Sequence, residues 1–215
     1  VAKKKRRKAA SGGRGGMAIH AVIGGYPITH DVHPSSTTPL PRAVQEALPR
    51  LYALTHEDPA RAVVELRDWI GRYPDAATLY NYLAVTYTAL GDQKSADAVA
   101  RENFERNPDY LFARLNHAHA LLMKRDAEGA AEVLRHRFEL RDHLPGREVF
   151  HRSEFVGFTA MVGLYHAVTG NRARAEEMLA WLEELDPDLP AAAALREKLY
   201  PPLFESFLDR VLPDR

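Results

Sequence analysis

The sequence predicts an all-α protein assembled from repeated helix–turn–helix units. Three observations carry this reading. From Ala43 nearly to the end, apolar residues recur at helical spacing. The Gly91-Asp92 turn inside "LYNYLAVTYTALGDQKSADAVARENFERNP" (Leu79–Pro108) has counterparts at Glu57-Asp58, 34 residues earlier, and at Arg125-Asp126, 34 residues later. A fourth turn, Gly170-Asn171, follows after a further 45 residues, one period plus an 11-residue insertion. In every copy an alanine (Ala62, Ala96, Ala130, Ala175) stands five residues after the first turn residue, and Pro74, Pro108 and Pro187 close three of the four copies.

The chain is expected to begin with a disordered tail. Residues 1–16 carry Lys3, Lys4, Lys5, Arg6, Arg7, Lys8 and Arg14 with no acidic side chain, lack periodicity and end in glycine-rich sequence. The other 22 basic side chains are set against all 29 acidic ones, so a basic tail precedes an acidic body. Residues 17–42 hold a short apolar run, Ala18 to Ile23, a Gly-Gly pair and several prolines, which suits an irregular arm or short strand better than a helix. Four units should follow at 43–76, 77–110, 111–155 (with the insertion) and 156–189. Capping helices should close the array over 190–215, first at "PAAAALREKLY" and then at "PLFESFLDRVL", whose Leu203, Phe204, Phe207, Leu208 and Val211 share one face.

Local chemistry supports each unit. Asp58 before Pro59 reads as an N-cap followed by proline at the first helical position. Small residues such as Ala84, Ala118 and Gly163 let helix backbones approach, while Leu83, Tyr87 and Phe104 fill the space between units. Leu83, Tyr87 and Ala96 should therefore be buried. Pro49 is expected to break or kink the first helix. The insertion is expected around Arg141–His151, extending the third unit's second helix or forming a loop at Pro145-Gly146.

On these residues the chain resembles the tetratricopeptide repeat family, whose pattern asks for an aromatic, Leu-Gly, Tyr, Ala, an aromatic and Pro at fixed offsets. The copy at 77–110 carries Tyr80, Leu83-Ala84, Tyr87, Ala96 and Pro108, with Ala100 at the second aromatic position. The copy at 156–189 has Val162-Gly163, Ala175, Leu179 and Pro187, with His166 at the Tyr position. The copy at 111–144 has His117-Ala118, Leu121, Ala130 and Leu134; that at 43–76 keeps Ala62, Leu66, Trp69 and Pro74. The resemblance implies a right-handed α-solenoid whose first helices line a concave groove. Its lining would be Thr78, Asn81, Val85, Thr88 and Ala89, then Phe112, Leu115, His119, Leu122 and Met123, then Gly157, Ala160, Leu164, Ala167 and Val168.

That lining is apolar and almost uncharged, and it lacks the Lys, Asn and Arg set with which some family members clamp a peptide carboxylate. The resemblance thus implies a non-enzymatic scaffold or adaptor that takes an amphipathic protein or peptide segment, or the chain's own residues 17–42. Its central contacts would be Asn81, Val85, Thr88, Leu115, His119, Leu122 and Leu164. The alternative is a nucleic-acid-associated protein. Lys3, Lys4, Lys5, Arg6, Arg7 and Lys8 would neutralise phosphates, without the interleaved aromatics that base stacking needs.

Other chemistry is thin. No Walker loop, G-x-S-x-G or G-x-G-x-x-G motif occurs, so no catalytic residue and no cofactor is expected. His136, Glu139 and His143 would share a face if "HRFELRDH" were helical, but no HExxH-type motif accompanies them and no metal is expected. The absence of cysteine removes disulfides and fits a cytoplasmic location. No 18-residue apolar run spans a membrane, and no apolar stretch behind the basic residues reads as a secretory signal.

Overall fold

The computed structural model describes residues 18–31 and 39–201. Among them the chain is predominantly helical. Helices α1 (Arg42–Glu57), α2 (Pro59–Arg72), α3 (Ala77–Ala89), α4 (Gln93–Arg106), α5 (Leu111–Met123) and α6 (Ala127–Val133) follow one another with short connections. A short α7 (Leu140–His143) precedes α8 (Arg152–Val168), α9 (Arg172–Leu185) and α10 (Pro190–Leu199). Three short strands, β1 (Ala21–Ile23), β2 (Tyr26–Thr29) and β3 (Phe150–His151), complete the fold. The second expected capping helix and residues 1–16 lie outside the described residues.

The recurring turn has a recurring cause. Asp58, Asp92, Asp126 and Asn171 are the N-caps of α2, α4, α6 and α9, and each side chain accepts a hydrogen bond from the backbone N–H three residues on. The residue before three of these caps is left-handed: Gly91 at φ +74°, Arg125 at +64° and Gly170 at +83°. Glycine adopts that conformation freely, whereas Arg125 pays about 1–2 kcal/mol for it. The alanines of the same frame are all buried, with Ala62, Ala130 and Ala175 at 0% exposure. Leu83 and Ala96 are buried as expected. Tyr87 is only half-buried, its ring lying under the Arg67 guanidinium.

Helices pack in chain order, α1 on α2, α2 on α3, α3 on α4, α4 on α5, α5 on α6, and α8 on α9 and α10. Two apolar cores result. One is built from α1–α4 around Val44, Leu51, Leu66, Leu79, Tyr80 and Leu83. The other joins α5–α10 with the strands around Ile28, Leu134, Phe150, Phe155, Val162 and Leu182. Pro49 does not break the first helix: α1 continues through it to Glu57. The missing N–H leaves one carbonyl a turn earlier without its helical donor, and the packed neighbours Ala47 and Leu51 hold the helix in register.

The insertion departs most from the expected course. Helix α6 stops at Val133 because Arg135 and His136 turn left-handed, at φ +58° and +50°. The chain does not lengthen α6; it forms α7 and then β3. His136, Glu139 and His143 therefore do not share one helix. His143 is buried, its Nδ1 accepting from Arg114 Nη1 at 2.8 Å while its Nε2 donates to the Arg137 carbonyl at 2.8 Å. Arg114, itself 2% exposed, thereby anchors the insertion to α5.

The sheet order is β1-β2-β3, with β1 and β2 antiparallel and β2 and β3 parallel, Ile28 opposite Phe150. The hairpin turn Gly24-Gly25 has both residues at positive φ, the geometry that matches strand twist in a two-residue hairpin. Tyr26 enters the second core against Phe150, Phe155 and Trp181, and its hydroxyl donates to Glu139 at 2.6 Å. Arg141 covers the same ring at 4.5 Å and donates to the Gly25 carbonyl. Residues 18–31 of the N-terminal arm therefore dock on β3 and α9, and do not fold into the groove, while Leu40 enters the first core.

Candidate functional site: a row of apolar clefts along α5

Helix α5 organises the site. Phe112, Leu115, Asn116 and His119 stand at i, i+3, i+4 and i+7, so they share one face. Three cavities adjoin that face. The first, about 250 Å³, lies between α5, α8 and α10 and is walled by Leu115, Ala160, Met161, Leu164, Ala194 and Leu195 among others. The second, about 320 Å³, lies between α3, α4 and α5, over Val85, Thr88, Ala89, Ala96 and Ala100. The third, about 500 Å³, is bounded by Leu48, Pro49 and Tyr52 of α1, Asn81 and Tyr82 of α3, and Tyr110 and Phe112. Asn116 and His119 border the first two, and Phe112 borders the first and third.

The row is uncharged. No Asp, Glu, Lys or Arg lines any of the three cavities. Asn116 Nδ2 donates to Asn81 Oδ1 at 2.7 Å, a bridge that ties α3 to α5 between two lining residues. Thr88, which lines the second cavity, returns its hydroxyl to the Ala84 carbonyl at 3.1 Å. His119 is open to the clefts, yet desolvation by the protein around it lowers its pKa against a weaker opposing pull from Asp97. It therefore offers a neutral imidazole near pH 7. Asp97 is taken up by Lys124 at 2.8 Å.

Of the residues singled out in the sequence, Asn81 lines the third cavity, Val85 and Thr88 the second, Leu115 and Leu164 the first, and His119 two of them. Leu122 is different. It lies one heptad beyond Leu115, where the cavity has ended, and at 3% exposure it belongs to the second core. Lys3 to Lys8 fall outside the described residues. Sequence reading missed Asn116, the α10 wall and the aromatic group Tyr52, Tyr82 and Tyr110. Asn116 was one step from detection, being four residues from Phe112 and three from His119, but the family scheme skips its position.

Among the described residues no group of His, Asp or Glu could hold a metal ion, and no helix is long and apolar enough to cross a membrane. No protein-family model matches the chain, and no curated protein or solved structure matches it either.

Proposed function

We propose that the chain is a non-enzymatic adaptor of tetratricopeptide-like architecture, acting in the cytoplasm, which holds a protein or peptide segment along the face of α1, α3, α5 and α8. The observation that carries this reading is the row of three adjoining, uncharged, largely apolar clefts centred on α5. The four capped turns and four buried alanines in one frame support the architecture. An amphipathic helix suits the clefts, its apolar side chains entering them and its polar atoms meeting Asn116, Asn81 and neutral His119.

Affinity capture with the intact chain tests this. Val85 is 47% exposed, so Val85→Asp leaves the fold intact while placing an unpaired charge against the bound segment. The expected result is one partner protein recovered by the parent chain and lost with Val85→Asp. Full recovery with the variant would move the binding surface elsewhere. The seven positive charges of residues 1–16 favour a second reading, nucleic-acid association. In that case recovery would vanish on nuclease treatment and on deletion of residues 1–16, and would be indifferent to Val85.

A further inference from the structure

The third cavity differs in chemistry from its neighbours. Four aromatic rings line it: Tyr52 on α1, Tyr82 on α3, and Tyr110 and Phe112 at the N-terminal end of α5. Tyr52 and Tyr82 stand 5.5 Å apart with 55° between their planes, and Tyr110 and Phe112 stand 5.7 Å apart at 57°. Neither pair is parallel, so no flat ring can lie against both members, whereas a compact, puckered ring can. Helical spacing gathers this wall. Gln45, Leu48, Pro49 and Tyr52 share one face of α1, and Thr78, Asn81 and Tyr82 share one face of α3.

The polar groups beside the rings are neutral. Asn81 already accepts from Asn116 through Oδ1, so its Nδ2 N–H groups remain for a ligand. Burial pushes the Tyr110 hydroxyl up to about 12 and raises that of Tyr82, so both stay O–H donors. Thr78 Oγ1 is enclosed beside the Tyr110 hydroxyl and finds no hydrogen bond of ordinary geometry among the described residues. On the α1 side Pro49 has no N–H, and the Gln45 carbonyl one turn earlier lacks its helical donor.

That combination selects among ligands. None of the ten lining residues is charged, so a charged side chain would enter without a counter-charge. A helix pairs its own backbone groups and brings only side chains. A polyproline II segment leaves its backbone carbonyls unpaired, and its pyrrolidine rings are apolar and puckered. The volume, about 500 Å³, holds a few such residues.

We propose that the third cavity binds an extended, proline-rich segment of a partner protein, with prolines against Tyr52, Tyr82, Tyr110 and Phe112 and the segment's carbonyls on the Asn81 amide and the tyrosine hydroxyls. The inference rests on the adaptor reading and gives it a partner class. A segment that is helical over the other two cavities turns extended here, because proline ends a helix. Phe112 borders both the first and the third cavity, so the change of course falls beside it.

The test uses the full chain and octaproline blocked at both ends, titrated by calorimetry. Saturable binding with a Kd at or below about 1 mM is expected. Tyr52 is 53% exposed, so Tyr52→Ala should keep the parent melting temperature and weaken binding about tenfold or more. Tyr110→Phe keeps the ring and removes the hydroxyl, and should weaken binding about fivefold. A failure to saturate, or an affinity that both variants leave unchanged, overturns the proposal. Tighter binding of an uncharged amphipathic helical peptide at the same tyrosines would make the cavity part of a helix groove, and tighter binding of tetramethylammonium would make it a cation cage; either result overturns it as well. The Val85 capture experiment is separate. A partner captured through Val85 with no octaproline binding would sink this inference and leave the adaptor reading standing, whereas octaproline binding with no partner captured would do the reverse.

Discussion

The helices α1–α4 and the helices α5–α10 share one frame but solve different problems. In the first group two regular units follow at 34 residues, and their core takes only Leu40 from outside the units. In the second group the third unit is cut short at Val133, and Arg114, His143 and Tyr26 bring the insertion and the N-terminal hairpin in to complete the core. The difference teaches where specificity is stored. The regular half is held by side chains that any unit of this type could carry, whereas the irregular half is held by single pairings between distant segments. The row of clefts lies where the two halves meet, on α5.

The largest expected effect separates the two cores. Leu83 is fully buried among α1–α4, and Leu83→Ala should cost about 2–5 kcal/mol. If the cores are distinct, amide exchange should accelerate over residues 42–106 while α8 and α9 keep their protection. Equal acceleration in both halves would show one cooperative unit. Gly163→Ala is the counterpart in the second core. A Cβ there would stand 2.5 Å from Leu195 Cδ2 and 3.1 Å from Met178 Cβ, so overpacking of about 1–3 kcal/mol is expected, read as a lower melting temperature. An unchanged melting temperature would mean that α10 shifts freely, and would weaken its part as a fixed wall of the cavity.

A smaller effect, about 1–2 kcal/mol, is expected for Gly24→Ala from its left-handed backbone. Its Cβ would also press on the Trp181 ring at 2.5 Å. The hairpin should loosen, with faster exchange at residues 20–29 and altered Trp181 fluorescence, while α1–α4 remain as they were. Loosening of α1–α4 as well would contradict the division into two cores.

How much of this was legible in the sequence follows the same division. Helices α1, α3 and α5 start at Arg42, Ala77 and Leu111, beside residues 43, 77 and 111 where the 34-residue frame opens its units, whereas α8 starts at Arg152, four residues before 156. Asn81, Val85, Thr88, Leu115, His119 and Leu164 came from the groove positions that the family resemblance implies, and each lines at least one of the three cavities. The insertion was not legible. Its left-handed Arg135 and His136 carry no sequence mark such as glycine, and its pairings to Arg114 and Tyr26 span 29 and 113 residues. Leu122 was misplaced because the family's position scheme gives the face of a helix but not how far along it the neighbouring helices stay apart.

Acid sharpens the comparison last and most gently. His143 is enclosed by the Arg114 guanidinium, the Arg137 carbonyl and the Phe158 ring, with Asp142 and Arg135 as the other charges acting on it. Burial chiefly lowers its pKa, with Arg114 and Arg135 adding to the effect and the Arg137 carbonyl and Asp142 opposing it. Both ring nitrogens are already engaged, so a second proton would have to break the bond from Arg114 and set two positive charges together. A histidine whose folded pKa lies below its unfolded value of about 6.5 contributes stability that is full above that value and is lost as pH falls below it. His117, His119 and His166 are shifted the same way, and all lie on α5 or α8. Between pH of about 7 and about 5 the second core should therefore loosen while α1–α4 hold, and amide exchange at both pH values measures it. His143→Gln keeps an acceptor for Arg114 without a titrating proton, so it should flatten part of that dependence. A slope unchanged by His143→Gln would assign the acid response to the other three histidines, and equal loosening of both halves would sink the selective effect.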